Sequence, residues 1–144
     1  MQKSLLDTGP IVALFDKSDN FHKKIYNFFQ ENNYKLYVTW PVITEVSFLL
    51  DFNKGTQLDF IRWLETGALQ VIDISLFDIS ILRQFMDKYS DVPMDLADAS
   101  LMLLYEKLDI NKIITLDSDF YIYRNLNGKA INNLISELIP YKGR

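Results

Sequence analysis

Four acidic residues in this sequence stand where the neighbouring residues make an acid locally unexpected. They are Asp7 in "SLLDTG", Glu45 in "PVITEVSFLL", Asp98 in "DLADASLMLL" and Asp117 in "IITLDSD". Each follows or interrupts an apolar or β-branched run. Carboxylates gathered at one place repel one another, so a cluster of them is tolerated mainly when divalent cations neutralise it. The chain has no cysteine and a single histidine, His22. That composition excludes disulfides, thiolate zinc sites, a cysteine nucleophile and paired-histidine catalysis. The ligand atoms left are oxygens, which favour Mg²⁺ or Mn²⁺. Magnesium held by a few carboxylates commonly works on phosphate, and the reaction this set suits is phosphodiester hydrolysis with a metal-activated water.

Each acid also has a plainer reading. Asp7 and Asp117 both close a short apolar run and open a loop, where aspartate often starts an Asx turn or caps the next helix. Glu45 reads equally as a first-turn glutamate complementing a helix dipole, worth about 0.3 to 1 kcal/mol. Asp95 is an ordinary N-cap before "LADASL", and Asp98, three residues on, stands where an acid reaches back in a capping box. These separate roles do not explain why similar acids recur at all four places.

The elements that must position these residues follow from patterning. "KSLLDTG" predicts a strand over Ser4–Leu6, broken at Thr8-Gly9-Pro10 where a helix begins. "DNFHKKIYNFFQEN" spaces Phe21, Ile25, Phe28 and Phe29 for an amphipathic helix, with Asp19 as N-cap and His22, Lys23 and Lys24 toward water. "KLYVTW" predicts a second strand and Pro41 opens the helix that carries Glu45. A loop around Lys54-Gly55-Thr56 leads to a helix with Leu58, Ile61 and Leu64 on one side. "ALQVIDI" predicts a third strand, and "LFDISILRQFMDKYS" a helix with Leu82, Phe85, Met86 and Tyr89 on one face. After the Asp98 helix, a fourth strand over Lys112–Leu116 ends on Asp117, and Asn127-Gly128 signals a hairpin. Strands alternating with helices define an α/β domain with a mainly parallel sheet, whose carboxyl edge would receive both Asp7 and Asp117.

At 144 residues with 49% hydrophobic content, the chain suits one domain, residues 1–144, with a substantial core. It has no repeat or low-complexity segment. No apolar run approaches the ~18 residues of a membrane span, and "MQKSLLDTG" lacks a secretory signal's apolar region, so the expected location is the cytoplasm. A net charge of −4 and a pI near 4.9 point away from bulk attraction to nucleic acid. Any such role must be local or use metal ions.

"LLDTGPIVALFD", "PVITEV", "DLADASLMLL" and "IITLDSDF", in this order, together resemble the PIN domain, and more closely the VapC-like toxins of toxin-antitoxin pairs. The likeness runs from about Ser4 to Phe120. It implies a three-layer α/β/α fold with a short, mainly parallel sheet and a metal-dependent ribonuclease site. Carried over residue by residue, it makes Asp7 the first metal ligand, Glu45 the acid of the second motif, Asp98 the third and Asp117 the fourth. Thr8 matches the small hydroxyl residue that follows the first Asp. Asp119 matches a further acid that either binds metal through water or orders the loop, and Asp95 keeps its N-cap role. "FYIYR" resembles a subgroup of these proteins without a catalytic duty attached. The resemblance further implies endonucleolytic RNA cleavage leaving a 5′ phosphate, inhibition by a VapB-like antitoxin whose tail fills the groove, and a homodimer.

Lys54, Arg62, Arg83, Lys88, Lys112 and Arg124 offer either a phosphate-guiding rim or a merely solvated surface. Three other classes compete. A catalytically silent PIN-fold module binding RNA or protein would be expected to have lost acids. An aspartyl-phosphate phosphatase would carry DxD at Asp7, where Thr8 and Gly9 follow, and a receiver domain would show adjacent acids early and a late lysine. A DNA nuclease of the PIN superfamily uses nearly the same site but is typically larger.

Overall fold

The computed structural model describes residues 1–139. Five parallel strands, β1 (Gln2–Leu6), β2 (Tyr34–Thr39), β3 (Leu69–Ile72), β4 (Lys112–Ile114) and β5 (Asn132–Asn133), form one sheet in the order β3-β2-β1-β4-β5. The helices are α1 (Thr8–Phe15), α2 (His22–Glu31), α3 (Trp40–Leu49), α4 (Lys54–Glu65), α5 (Ile79–Lys88) and α6 (Leu96–Leu108). They flank the sheet in the α/β/α arrangement expected from sequence. Because the chain winds outward from β1 to β3 and then returns to β4 on the other side of β1, the strand order reverses between β1 and β4. That is where an open parallel sheet leaves a crevice at its carboxyl edge.

The core explains why α6 is apolar nearly all round. Ala97, Ala99, Leu101, Met102, Leu103, Leu104 and Tyr105 are all buried, as befits a helix sandwiched between the sheet and a neighbouring helix. It packs on β1 and β2, with α5 against it. The Thr39 and Ser100 hydroxyls, 2.6 Å apart, tie the end of β2 to α6 inside this apolar surrounding. Asp95 accepts a hydrogen bond from the Asp98 N–H at 2.8 Å and so caps α6 as expected. Leu82, Phe85, Met86 and Tyr89 form the inward face of α5.

Several local expectations are corrected. Lys54-Gly55-Thr56 is not a loop but the first turn of α4, because the Asn53 side chain accepts from the Thr56 N–H and caps it. On that helix Phe60 is the buried residue, with Leu58 and Ile61 exposed and Leu64 half-buried. α2 starts three residues after Asp19, whose carboxylate takes the Phe21 N–H and shapes the preceding turn. His22 does not face open water: its Nδ1 lies 2.7 Å from the Ala13 carbonyl, joining α2 to α1.

The fourth strand stops at Ile114, two residues short of Leu116. The Asn133 side chain replaces the strand ladder there: its amide nitrogen donates to the Thr115 carbonyl at 3.0 Å and its oxygen accepts the Thr115 N–H at 3.2 Å. Asn127-Gly128 does make a tight turn, with Gly128 at φ 78° and the Asn125 side chain accepting the Asn127 and Lys129 amides. The turn does not make a hairpin, since β5 beyond it runs parallel to β4. Replacing Asp95 by alanine is expected to lower unfolding free energy by about 0.5 to 2 kcal/mol, measured by urea denaturation.

Candidate metal centre

β1 ends at Leu6, and the parallel register continues one residue further, with the Asp7 N–H donating to the Ile114 carbonyl at 3.1 Å. Asp7 therefore emerges beside the end of β4. It holds the N-cap position of α1 yet makes no side-chain capping hydrogen bond. Its carboxylate instead accepts the Thr115 hydroxyl at 2.7 Å. The same hydroxyl oxygen accepts the Asp117 N–H at 2.9 Å, so Thr115 fixes both acids. Asp117 in turn accepts the Asp119 N–H at 2.9 Å, capping the short turn Ser118–Tyr121. The capping role foreseen as an alternative for Asp117 is thus real, and it leaves the residue in the crevice.

Asp98 reaches the same point from the first turn of α6. Its side chain does not reach back in a capping box. It accepts the Tyr123 hydroxyl at 2.8 Å. One carboxylate oxygen each from Asp7, Asp98 and Asp117 lies within 4.8 Å of the others. A cleft of about 500 Å³ opens over them, lined also by Thr8, Glu45, Asp95 and Asp119. Glu45 is on the α3 wall, outside the tight triad. Since α3 begins at Trp40, Glu45 lies beyond its first turn, and the helix-dipole reading loses its basis.

Two of these carboxyls are displaced from the ordinary carboxylate range. Burial pushes the Asp7 carboxyl up to about 6; the Thr115 hydroxyl and Thr8 N–H work against that, while Asp117 and Glu45 push further upward. Asp98 is raised to about 8, by burial first and then by repulsion from Asp7 and Asp95, with the Tyr123 hydroxyl opposing. The Tyr123 phenol is itself driven well above its ordinary range by burial and by Asp98. Among the described residues, no Lys or Arg lines the cleft. A cluster of hard oxygen donors of this kind fits a divalent metal ion.

Four of the six basic residues weighed as a guiding rim have partners elsewhere. Arg62 and Arg83 pair with Asp59 and Asp87 one turn away on exposed helix faces. Lys112 binds Gln2 at the amino edge of the sheet, away from the site. The Arg124 guanidinium is turned to the carbonyls of Tyr121, Ile122 and Tyr123. Sequence reasoning missed Thr115, Tyr123 and Asn133. Only Tyr123 had a signal, its place in "FYIYR".

A short parallel sheet with three carboxylates gathered at its switch point defines the class of protein as an α/β nuclease-like fold with a candidate metal centre. The PIN domain family model matches residues 4–126, and the chain belongs to the PIN domain family. It is 25% identical over 115 residues to ribonuclease VapC26 of Mycobacterium tuberculosis, across 78% of this chain and 85% of that protein. The crystal structure of VapC20 from the same organism, described as a Sarcin-Ricin loop cleaving toxin, has the same fold. It superposes with a TM-score of 0.74 at 15% identity, covering 81% of this chain and 92% of VapC20.

The raised carboxyls have a thermodynamic signature. Between about pH 4, where unfolded aspartate ionises, and the folded values of about 6 and about 8, the folded chain holds more protons than the unfolded one. Stability of the metal-free protein should therefore fall as pH rises through that window. The melting temperature is expected to be lower at about pH 8.5 than at about pH 5.5. Asp98→Asn should flatten most of that slope, and Mn²⁺ should raise the melting temperature of the wild type but not of the variant.

Proposed function

We propose that this protein is a metal-dependent endoribonuclease that hydrolyses RNA phosphodiester bonds, the toxin of a toxin-antitoxin pair. The observation that carries the reading is the convergence of Asp7, Asp98 and Asp117 within 4.8 Å at the carboxyl edge of the sheet. In this reading Asp7, Glu45, Asp98 and Asp117 form the catalytic acid set. Asp7, Asp98 and Asp117 hold Mg²⁺ or Mn²⁺ directly, Glu45 closes the α3 side of the centre, and Asp119 joins through water or orders the loop. The bound cation supplies a water of lowered pKa and stabilises charge on the attacking and leaving oxygens. The chain's own contribution is to hold the carboxyls fixed and crowded, in surroundings that resist their ionisation until a cation is bound. The product expected is a 5′ phosphate end.

The likeness to VapC-type toxins supports a protein partner, which we assign as a VapB-like antitoxin, with the toxin itself a homodimer acting in the cytoplasm. An apolar surface lined by Trp40, Pro41, Phe48 and Leu96 adjoins the cleft and shares Glu45 and Asp95 with it. That adjacency suits a partner able to cover the site. Residues 1–144 are read as a single PIN domain. Among the described residues no helix is long and apolar enough to cross a membrane.

Incubation with structured RNA and Mg²⁺ or Mn²⁺ tests the reading. Cleavage is expected in the wild type and should drop by at least about 100-fold in Asp7→Asn and in Asp98→Asn, more than loss of a group that merely supports a ligand. Full activity in both variants would refute the site. Equal cutting of DNA would favour the DNA-nuclease reading, and RNA binding without cleavage under either metal would favour a silent module.

A further inference from the structure

The segment Phe120–Arg124, "FYIYR", has no part in the reaction as described so far, yet it is built with unusual care for a stretch following a strand. The Tyr123 ring is fully buried. It sits edge-on to Phe120 with ring centres 5.0 Å apart and tilted against Tyr89 at 5.1 Å. The backbone on either side is clamped: Arg124 donates its N–H to the Tyr89 hydroxyl at 2.8 Å, and its guanidinium gathers the carbonyls of Tyr121, Ile122 and Tyr123. The buried ring presents one polar atom, the Tyr123 hydroxyl, which donates to Asp98 Oδ2 at 2.8 Å across a separation of 25 residues.

The terminal torsion of an aspartate is broad, and Asp98 sits within a few ångströms of Asp7 and Asp117. Left to itself, its carboxylate would turn to relieve repulsion. A lysine or arginine partner would hold it but would also discharge it and compete with any cation. A phenol orients the carboxylate and adds no positive charge.

We propose that Tyr123 is a positioning residue of the metal centre: its hydroxyl sets the rotation of the Asp98 carboxylate, so that the oxygen opposite Oδ2 is presented to the cation. This rests on the metal-centre reading above. Hydrogen-bond partners of metal-ligating carboxylates commonly contribute about 10- to 100-fold in metal affinity. Tyr123→Phe removes one oxygen and keeps the ring that Phe120 and Tyr89 pack against. Tyr89→Phe is the control, since it removes a neighbouring hydroxyl of the same aromatic group without touching Asp98.

Mn²⁺ binding to the metal-free full chain is followed by electron paramagnetic resonance, with thermal melts alongside. Tyr123→Phe is expected to bind Mn²⁺ at least about tenfold more weakly, with its metal-free melt close to wild type and RNA cleavage recovering as Mn²⁺ is raised. Tyr89→Phe should bind within about twofold of wild type. Equal Mn²⁺ affinity in Tyr123→Phe and wild type overturns the inference alone. So does an equal loss in both variants, which would make the hydroxyls merely structural. Absence of Mn²⁺ binding in the wild type overturns the metal-centre reading itself, and the inference with it.

Discussion

Three carboxylates crowded at one edge of a sheet are the constraint around which the rest of this fold is arranged. Asp7, Asp98 and Asp117 come from the end of β1, the first turn of α6 and the segment that follows β4, and the fold must hold them close against their own repulsion. Flexible loops could not do so, because the acids would simply move apart. Here the parallel register of β1 and β4 brings Asp7 beside Thr115, whose hydroxyl also takes the Asp117 N–H, and a helix buried on nearly every face sets the third. The rigidity of the core is what the site uses, and burial in that core, with mutual repulsion second to it, raises the Asp7 and Asp98 carboxyls.

How the acids are held is as telling as where they are. Asp7 receives the Thr115 hydroxyl and Asp98 the Tyr123 hydroxyl, both uncharged donors. Asn133 supports Thr115 in turn with an amide group that grips its backbone on both sides. Ion pairs do occur in this protein, as between Lys107 and Asp78 at 3.0 Å, but that one stands apart from the cleft. Neutral donors fix geometry and leave negative charge in place for something outside the chain to meet.

The sequence made the acids legible because each one breaks a pattern: a strand or helix dictated by apolar spacing, with a carboxylate at a place the pattern does not require. The order of elements was equally legible, since alternation of strand and helix is a local property. What could not be read were the partners. Thr115 and Asn133 take their roles from strands far apart in sequence, with nothing in their own neighbourhoods to mark them, and Tyr123, though part of "FYIYR", takes its role from a helix 25 residues away. Local signals also misled in a consistent way. The turn at Asn127-Gly128 was real, but whether a turn makes a hairpin depends on where the next strand pairs, and β5 pairs in parallel. Gly55 suggested a loop where the Asn53 cap makes a helix start. His22 looked solvated until the Ala13 carbonyl was brought to it from another helix.

The hydrogen bond between Thr115 and Asp7 spans 108 positions of the chain. A polypeptide emerging from its N-terminus has displayed Asp7 and Glu45 long before α6 and β4 exist, and at that stage two of the three triad acids are missing. Contacts of such long sequence separation form late, because the chain between them must be ordered first. The acidic centre is therefore a property of the finished fold and of no fragment of it. A chain cut short before β4, or stalled with β4 undocked from β1, would carry the first motif intact and still lack the site.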